Sequence, residues 1–455
     1  MRKELPANLL DSLVTGPKSG KELATRLGIS QPTLSRTLAA LGEQVVPLGR
    51  GRATRYARPR KVRGVTSLFP VYCVDESGNV RPIGRLQALV GGGYWWQAEV
   101  GDSESRYFEQ LPWFVQDLRP DGFIGRAFAQ RHGAELGLPE KLGEWNDDDV
   151  LLALARRGED HIGNLLIGDE ALGRYLHATK QPQALISEMA RGERYSELAR
   201  LALEGEPPGS SAGGEQPKFT ALVGEGKELR HVLVKFSPPL TQVDGVRWAD
   251  LLRCEDLALR VIAGHGLAAA LSRLVAGEER VFLEVERFDR LGRLGRVPLF
   301  SLRAIDGANV GCGGDWLHCA TTLQRAGVIS SEDAQRMRWL KVFGELIANS
   351  DMHAGNLSLH RQSVRCYTLA PVYDMLPMLY RPVSGELLSR SFIPPLPTLE
   401  TAGVWPEALQ AALRFWALAG DDAGISVAFR AICRENYALL QELLTVPAVL
   451  AASTQ

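Results

Sequence analysis

The spacing of three polar side chains constrains the fold of this 455-residue chain more than any other feature of its sequence. Asp351 and Asn356 lie five positions apart in the segment NSDMHAGN, and Asp374 follows eighteen residues after Asn356. Oxygen atoms of carboxylates and carbonyl groups are the ligands that Mg²⁺ prefers in proteins. We therefore expect the chain to fold so that these three side chains lie at one site.

The same spacing of aspartate and asparagine occurs in the catalytic loop of protein kinases, H-R-D-x-x-x-x-N. It predicts that Asp351 accepts the proton of an attacking hydroxyl group and holds that group in line with a phosphorus atom. Asn356 and Asp374 are then the predicted ligands of Mg²⁺. The D-F-G sequence of kinases is absent, because Tyr373 precedes the second aspartate and Met375 follows it.

Two upstream segments add groups that suit a nucleotide triphosphate. Gly213 and Gly214 lie in a loop rich in small residues just before a strand, where backbone N–H groups can approach phosphate. Lys235 lies in the alternating segment HVLVKF, which predicts a strand that directs a cation at the α- and β-phosphates. Glu255 follows on a predicted helix, in the position of the carboxylate with which kinases hold the strand lysine.

The segment RVFLEVERFDRLG predicts a strand that runs into a hinge between two lobes. Backbone groups near Glu286 are then available to the edge of an adenine, and Phe288 to its face. His353, two residues after Asp351, suits a ligand of a transition metal, but without other clustered histidines such a residue is more often a structural hydrogen-bonding residue. The residues predicted to hold the nucleotide are Gly213, Gly214, Lys235, Glu255, Glu286, Phe288 and His353.

Residues 18–60 have the pattern of a winged helix-turn-helix. Leucines and one isoleucine mark two short amphipathic helices on either side of Gly28, which can take the positive φ of a tight turn. Ser30 can cap the second helix, predicted from about Gln31 to Leu41. Residues 45–57 then predict a two-stranded wing, and the acidic run 147–149 predicts the solvated first turn of a later helix.

The charge distribution agrees with a nucleic-acid partner for this front end. Residues 1–63 carry thirteen Lys/Arg and four Asp/Glu, although the whole chain has a net charge of -1. Residues 50–63 contain seven basic and no acidic residues, as expected of a segment that lies along phosphates. The predicted contacts to double-stranded DNA are Gln31, Thr33, Ser35, Arg36, Arg50, Arg52 and Arg55. A helical hairpin used for dimerisation is the alternative.

Composition excludes several other classes of protein. With 45% hydrophobic and 23% charged residues, the chain is neither disordered nor collagen-like. Its six cysteines form no C-x-x-C pair, which indicates reduced thiols rather than a disulfide framework or a zinc ribbon. Apolar runs are shorter than the roughly 18 residues of a membrane span. We expect a cytoplasmic protein with no membrane role.

Five motifs in order identify a resemblance. The segments SSAGGEQPKFTA, HVLVKF with its lysine, VERFDR, NSDMHAGNLS and LAPVYD resemble those of the HipA family of toxin kinases, over about residues 66–440. The resemblance implies an α+β fold, namely a two-lobed HipA/protein-kinase-like fold preceded here by a small winged helix-turn-helix domain. The domains implied are 1–63 for the winged helix-turn-helix, 64–300 for the N-terminal lobe and 301–455 for a mostly helical C-terminal lobe.

The resemblance also implies a function and cofactors. A HipA-type chain is an ATP- and Mg²⁺-dependent serine/threonine protein kinase, and it inhibits growth within a toxin-antitoxin system. Asp351 is then the catalytic base, and Asn356 and Asp374 hold the metal. Phosphorylation of a serine in the glycine-rich loop inactivates such kinases, which makes Ser210 and Ser211 candidates, the alternative being small loop residues without that role.

The partners follow less directly. Known HipA targets are aminoacyl-tRNA synthetases, so a synthetase or another translation factor is the implied protein substrate. HipA systems commonly use a separate DNA-binding antitoxin, whereas this chain carries its own DNA-binding module, which leaves the existence of an antitoxin chain open. A homodimer would suit DNA with paired half-sites. The open alternatives are a transcription regulator whose kinase-like body senses a nucleotide or metabolite without catalysis, and a small-molecule kinase.

Overall fold

The computed structural model of the chain describes residues 4–99, 104–180, 185–204, 216–225 and 228–444. The chain divides into two compact units. The first comprises Met1–Asp75, Asn79–Pro120 and Arg131–Gln181, and the second Glu76–Gly78, Asp121–Gln130 and Pro182–Gln455. The predicted domain boundaries after residues 63 and 300 lie inside these units and stay predictions.

The amino-terminal part of the chain is a mixture of short helices and strands. Its elements are α1 Leu5–Ser12, β1 Lys18–Ser19, α2 Gly20–Leu27, α3 Gln31–Leu41, β2 Val46–Leu48, β3 Arg55–Ala57, β4 Leu68–Val74, β5 Val80–Ala88, β6 Tyr94–Ala98, β7 Arg106–Phe108, α4 Trp113–Gln116, α5 Gly122–Leu136, α6 Asp147–Arg157, β8 Leu165–Ile167 and α7 Asp169–Lys180.

Longer helices dominate the remainder of the chain. The elements are β9 Leu185–Ile186, α8 Arg191–Leu203, β10 Lys218–Glu225, β11 Glu228–Phe236, α9 Val243–Gly264, β12 Ser272–Ala276, β13 Val281–Glu286, β14 Arg290–Leu291, β15 Gly295–Arg296, β16 Leu299–Ser301, α10 Leu302–Asn309, α11 Trp316–Arg325, α12 Ser331–Leu346, β17 Ser358–Arg361, β18 Tyr367–Leu369, α13 Trp405–Asp421 and α14 Val427–Leu443.

The first helices are set by local signals that the sequence carries. Gly28 has a φ of +63° between α2 and α3, a conformation that glycine adopts without strain. The Ser30 hydroxyl accepts the N–H of Thr33 and so caps α3, which begins and ends at the residues predicted. Leucines of α1, α2 and α3, together with Leu13 just after α1, share one core: Leu9, Leu13, Leu23, Leu34 and Leu41.

The predicted wing is also present as a hairpin. Strands β2 and β3 pair antiparallel, and β1 completes a three-stranded sheet in the order β1-β3-β2. Gly49 and Gly51, which lie between β2 and β3, have φ values of +86° and +68°, so the turn uses conformations that most other residues avoid.

The segment after the wing attaches to a larger sheet of the same unit. This sheet is antiparallel, with strand order β7-β6-β5-β4-β8. The N–H of Val90 donates to the carbonyl of Arg58 at 2.8 Å, and the N–H of Arg60 donates to that of Ala88 at 2.9 Å. Backbone hydrogen bonds therefore join the front 60 residues to the end of β5.

The acidic run at 147–149 begins α6 as predicted, but the expected solvation is wrong. Each of its carboxylates binds an arginine, and Asp149 is 0% exposed. The three ion pairs are Arg119 with Asp147 (2.6 Å), Arg60 with Asp148 (3.0 Å) and Arg63 with Asp149 (2.6 Å). Because Arg60 and Arg63 bind carboxylates of their own unit, the expectation that all of residues 50–63 lies along phosphates is wrong for these two.

The second unit begins with a five-stranded sheet in the order β12-β13-β11-β10-β9. Its pairs are antiparallel except for β9 with β10. One face packs on α8 through Tyr195 and Ala199 of this helix, and the other packs on α9 through Ala249 and Leu252. A sheet with a long helix across one face is the arrangement that positions the strand lysine.

The rest of the second unit is mostly helical. Helices α11, α12, α13 and α14 enclose fully buried aromatic side chains, among them Trp316, Phe343, Trp405, Trp416 and Phe429. The loop with Asp351 and Asn356 joins α12 to β17, and Asp374 follows β18 of the small sheet β16-β17-β18. Among the described residues, we find no helix that combines the length and apolarity needed to cross a membrane.

Replacement of Asp148 by alanine tests the attachment of the front segment. Burial opposes ionisation of Asp148, but hydrogen bonds from Arg60 and Tyr94 hold its pKa below the ordinary value. Asp148→Ala leaves the buried Tyr94 hydroxyl without the acceptor it has at 2.7 Å, so we expect a loss of about 1–3 kcal/mol in urea unfolding. Because the lowered pKa makes this contribution vanish as the pH falls, the difference should shrink below about pH 4.

The matched control is Glu170→Ala, which removes an exposed carboxylate that binds Arg156 at 2.6 Å in the same unit. An exposed ion pair contributes less than about 1 kcal/mol. Equal losses for both variants would contradict the role assigned to Asp148.

Candidate active site

Lys235 is the centre of the candidate site. It lies near the end of β11 with 3% of its surface exposed, and its Nζ donates to Oε1 of Glu255 at 2.6 Å and to Oε2 at 2.8 Å. The same Nζ contacts Oδ1 of Asp374. Strand β11, helix α9 and the segment after β18 therefore meet at one ammonium group, and the predicted pairing of Lys235 with Glu255 is present.

The charges of this cluster are strongly coupled. Burial disfavours a charged Lys235, but the carboxylates of Asp374 and Glu255 outweigh it and raise the pKa of the lysine. Burial raises the pKa of Glu255 against the effect of the lysine. Burial also opposes ionisation of Asp374, yet Lys235 and then Lys218 lower its pKa. An ammonium and an ionised Asp374 thus face each other at neutral pH.

Asp374 is held in an unusual backbone conformation. Its φ is +54°, and Ala348, just before the loop with Asp351, has a φ of +60°. Left-handed conformations of residues other than glycine cost on the order of 1–3 kcal/mol and occur often at functional sites. The N–H of Leu379 donates to the carbonyl of Ala348 at 3.0 Å. This hydrogen bond connects Ala348 to the segment that follows Asp374.

The loop from Asp351 to Asn356 is closed on itself. Nδ2 of Asn356 donates to the carbonyl of Asp351 at 2.8 Å, and the N–H of His353 donates to the same carbonyl at 3.0 Å. The Nδ1 atom of the exposed His353 accepts the N–H of Gly355 at 3.0 Å. Because its Nδ2 is bound within the loop, Asn356 offers Oδ1 as a ligand atom. The His353 ring therefore shapes the loop.

Asn349 connects the two halves of the site, a role that the sequence analysis missed. Its Oδ1 accepts the N–H of Asp351 at 3.0 Å, and its Nδ2 donates to the carbonyl of Asp374 at 3.3 Å. The side chain is 7% exposed. The sequence shows an amide two residues before Asp351, but only the structure shows that this amide is buried and must use both its donor and its acceptor.

Tyr373 is a second link that the sequence analysis left without a role. Its hydroxyl donates to the carbonyl of Gly355 at 2.9 Å and lies 2.8 Å from the Ser358 hydroxyl. The residue before Asp374 therefore fixes the end of the loop that contains Asn356.

Lys218 was also missed. It lies directly opposite Lys235 in the antiparallel pair of β10 and β11, so both side chains project from the same face of the sheet. Its charge lowers the pKa of Asp374 and acts on Glu255. Strand periodicity could have found it, but only with the register of the two strands in hand.

The hinge residues are placed at the end of β13. The N–H of Glu286 donates to the carbonyl of Leu271 at 2.8 Å, and the next N–H, of Arg287, donates to that of His231 at 2.8 Å. The Phe288 ring packs against Tyr373, with a ring-centre distance of 5.8 Å. Two of the hinge N–H groups are thus already bonded, and the contacts of Glu286 and Phe288 with adenine stay predictions.

Several predicted residues fall elsewhere. Ser210, Ser211, Gly213 and Gly214 lie outside the residues that the structure describes. In the first unit, Gln31, Ser35, Arg36, Arg50, Arg52 and Arg55 are exposed, and Thr33 is half-buried. Arg55 donates to the carbonyl of Pro17 at 2.7 Å, which fixes β3 beside the turn before α2.

The sequence matches models of two known protein domains. Residues 65–176 match the middle domain of YjjJ-like toxins, and residues 210–433 match the HipA-like C-terminal domain. The chain is 38% identical to Toxin YjjJ of Escherichia coli (strain K12) over 435 residues, which are 94% of this chain and 96% of that protein. The chain belongs to the YjjJ-like toxin family. Its HipA-like part contains the cluster of Lys235, Glu255 and Asp374.

A solved structure supports the same fold. HipA from the Shewanella oneidensis MR-1 toxin-antitoxin complex with HipB and operator DNA aligns with a TM-score of 0.51 at 16% identity. The alignment covers 84% of this chain and 96% of HipA. The α+β, HipA-like and kinase-like fold expected from the sequence is therefore confirmed for this member of the YjjJ-like family.

Replacement of Lys235 by methionine tests the charge cluster. The change leaves the carboxylates of Glu255 and Asp374 together without their cation, so we expect a loss of about 3–5 kcal/mol in urea unfolding. The double variant Lys235→Met/Glu255→Gln removes one of the two carboxylate charges and should recover much of this loss. Lys341→Met is the control, because its ammonium pairs at 3.1 Å with the more exposed Glu345. No recovery in the double variant would contradict the electrostatic account.

Proposed function

We propose that this chain is an ATP- and Mg²⁺-dependent kinase of the HipA toxin type that phosphorylates serine or threonine residues of a protein. The observation that carries the proposal is the convergence of Lys235, Glu255 and Asp374 on one buried ion cluster. The loop of Asp351 and Asn356 is tied to this cluster by Asn349. The kinase-type fold and the toxin family support the same chemistry.

The donor set fits a magnesium ion and a triphosphate. Asp374 carries a lowered pKa and is about a quarter exposed at 26%, so it is an ionised carboxylate that solvent can reach. Asn356 adds a carbonyl oxygen. Two lysines, at positions 235 and 218, direct positive charge at the same place. Hard oxygen ligands beside cations are what Mg²⁺ and phosphate require.

Each side chain then has a defined task. Asp351 accepts the hydrogen bond of the acceptor hydroxyl, orients it and takes its proton. Asn356 and Asp374 would hold Mg²⁺, and Lys235 would bind phosphate oxygens while Glu255 keeps its ammonium in place. When bound, ATP supplies the phosphoryl group and Mg²⁺ neutralises its charge.

Nucleotide binding requires an exchange of partners at Lys235. An ammonium has three N–H donors, and here two are directed at Glu255 and one at Asp374. Glu255 is 0% exposed, whereas Asp374 is partly exposed, so the contact with Asp374 is the one that phosphate can replace. Asp374, without its contact to Lys235, would then be available as one of the residues that hold Mg²⁺.

The proposed protein that accepts the phosphoryl group follows from the resemblance to the HipA family. A toxin kinase that inhibits growth would act on the translation apparatus, with an aminoacyl-tRNA synthetase or another translation factor as the substrate. Phosphorylation of Ser210 or Ser211 in the glycine-rich loop would repel nucleotide phosphate and switch the enzyme off.

The Asp351→Asn variant of the full chain tests the catalytic assignment. We expect transfer from labelled ATP to proteins of a cell lysate to fall by roughly 10²–10⁴, because asparagine cannot take the hydroxyl proton. Asp421→Asn, an exposed aspartate of the same unit at 84%, should leave transfer unchanged. Equal transfer by both variants would refute the role of Asp351.

The rival function is a transcription regulator that binds a nucleotide without catalysis. It predicts that the wild-type chain binds ATP, measured by calorimetry, and labels no lysate protein. Labelling that depends on Asp351 argues for the kinase, and identification of the labelled protein distinguishes a protein kinase from a small-molecule kinase.

We propose in addition that the front end binds double-stranded DNA. Helix α3 exposes Gln31, Ser35 and Arg36, and the wing exposes Arg50 and Arg52. Short polar side chains on a helix suit base edges, and arginines on a hairpin suit phosphates. The DNA could be the chain's own promoter, and no antitoxin chain would then be needed to bring the kinase to it.

Salt-dependent DNA binding checks this proposal. Arg52→Ala should weaken binding to DNA of any sequence and reduce the slope of log affinity against log salt by about one, because one phosphate contact is lost. Arg85→Ala, an exposed arginine of β5 in the same unit, is the matched control and should leave the slope unchanged. If the wild-type chain binds DNA with an affinity that does not fall as salt is added, the proposal is wrong.

A further inference from the structure

Two cysteines of the second unit lie in direct contact beside the catalytic loop. Cys312 belongs to the loop between α10 and α11, and Cys319 lies on α11. Their Sγ atoms are 2.8 Å apart and both are free thiols. This separation is shorter than the about 3.5–4.0 Å of ordinary non-bonded carbon contacts. A disulfide, with its bond of about 2.05 Å, requires only a small further approach.

Asp306 of α10 fixes the loop that contains Cys312. Its Oδ1 accepts both the N–H and the Sγ–H of Cys312 at 2.7 Å, and its Oδ2 accepts the N–H of Gly314 at 3.2 Å. Gly311, Gly313 and Gly314 have φ values from +72° to +80°, so the loop curls around the carboxylate in conformations suited to glycine. The contact between the two sulfur atoms is therefore built into the fold.

A metal centre is the other chemistry that this set of side chains suggests. Ligand atoms of Asp306, Cys312 and Cys319 lie within 4.8 Å of one another. However, both oxygens of Asp306 already accept hydrogen bonds from the loop. A structural zinc site takes four ligands, and the described residues gather three here. Dithiol chemistry fits the arrangement better.

The pair differs in access. Cys312 is half-buried between the exposed Gly311 and Gly313, whereas Cys319 is 0% exposed. An oxidant can thus reach Cys312, whereas Cys319 is buried and in contact with the Cys312 sulfur. This is the arrangement of an oxidised cysteine with a resolving partner.

The helices on either side of this cysteine loop, α10 and α11, bind the loop of residues 351–356, and Gly314 of the cysteine loop lies close to it. Nε1 of Trp316 donates to the carbonyl of His353 at 3.2 Å, and the N–H of Arg303 donates to that of Ala354 at 3.0 Å. A Cβ placed on Gly314 would lie 3.0 Å from the Cβ of Ala354. A shift of the cysteine loop must therefore be passed to residues 351–356.

We propose that Cys312 and Cys319 form a reversible disulfide when the protein meets a hydroperoxide, and that this bond lowers phosphoryl transfer by displacing the catalytic loop. The Cys312 sulfur attacks the peroxide, the O–O bond breaks, and a sulfenic acid and water form with hydrogen peroxide as oxidant. The Cys319 sulfur then attacks that of Cys312, the S–O bond breaks, and a second water leaves with the thiol proton. A dithiol reductant reverses the reaction by exchange.

Electrostatics set the resting state. Burial and then the Asp306 carboxylate raise the pKa of Cys312, and burial raises that of Cys319. Because the thiolate is the reactive form, the raised pKa values make both cysteines react slowly with peroxide at neutral pH and faster as the pH rises. Disulfide formation should accelerate between pH 7 and pH 9.

Mass spectrometry of the full chain tests the bond itself. The protein is treated with hydrogen peroxide, alkylated with iodoacetamide and digested with trypsin, which leaves both cysteines in the peptide 304–325. We expect this peptide to be unalkylated, lighter by two hydrogen atoms than its reduced form, and restored by dithiothreitol. Cys312→Ser, which keeps a donor for Asp306, abolishes the bond, and Cys366→Ser, at an exposed cysteine, leaves it intact.

Two measurements test whether the disulfide affects the loop of residues 351–356. Oxidation should lower transfer about tenfold or more in the wild type and in Cys366→Ser, because small displacements of a catalytic group have large effects on rate, but not in Cys312→Ser. This effect rests on the proposed function. The hydrogen exchange of residues 351–356 does not depend on the proposed function. It should change on oxidation in the wild type and in Cys366→Ser.

The inference is overturned by three results. The first is a peptide 304–325 in which both cysteines are alkylated after oxidation. The second is one zinc ion bound per protein chain and released by alkylation. The third is a disulfide that changes neither phosphoryl transfer nor the hydrogen exchange of residues 351–356. If the reduced protein transfers no phosphate while the disulfide forms and alters exchange, the proposed function fails and the bond with its effect on the loop stands.

Discussion

The position of one buried ammonium group determines how the second unit must pack. Lys235 is 3% exposed, and a charge in that environment is tolerated only with ionised partners in good hydrogen-bond geometry. Those partners come from α9 and from the segment after β18. Strand, helix and a segment more than a hundred residues away must therefore reach their final places together, which makes the ion cluster and the candidate active site the same structure.

The loop of residues 351–356 is linked to this cluster by hydrogen bonds of two side chains. Asn349 bonds Asp351 and Asp374 at once, and Tyr373 holds the carbonyl of Gly355. Left-handed residues at positions 348 and 374 are retained because these bonds and the packing around them define the backbone. The helices next to the contact of Cys312 with Cys319 bind the same loop, through the Nε1 of Trp316 and the N–H of Arg303.

Much of the local structure could be predicted from sequence. Ser30 and Gly28 set the start of α3 and the turn before it, because caps and positive φ angles depend on single residues and their neighbours. The kinase-like fold was predicted from the resemblance of five ordered motifs to those of the HipA family. The pairing of Lys235 with Glu255 followed from the kinase pattern. The expected solvation of the acidic run at 147–149 was wrong, because Arg60 and Arg63 reach it from 88 and 86 residues away along the chain and burial is a property of the packed unit.

The sequence by itself predicted the proposed chemistry, since Lys235, Asp351, Asn356 and Asp374 occur in an order and spacing that resemble those of kinases. It also determined where helices begin, because capping is a local hydrogen bond. Only the tertiary structure decided that Asn349, Tyr373 and Lys218 serve the same site, that two arginines of the basic segment are bound to aspartates, and that two cysteines seven positions apart touch. These are contacts across elements, and their geometry follows from register and packing, which no spacing along the chain specifies.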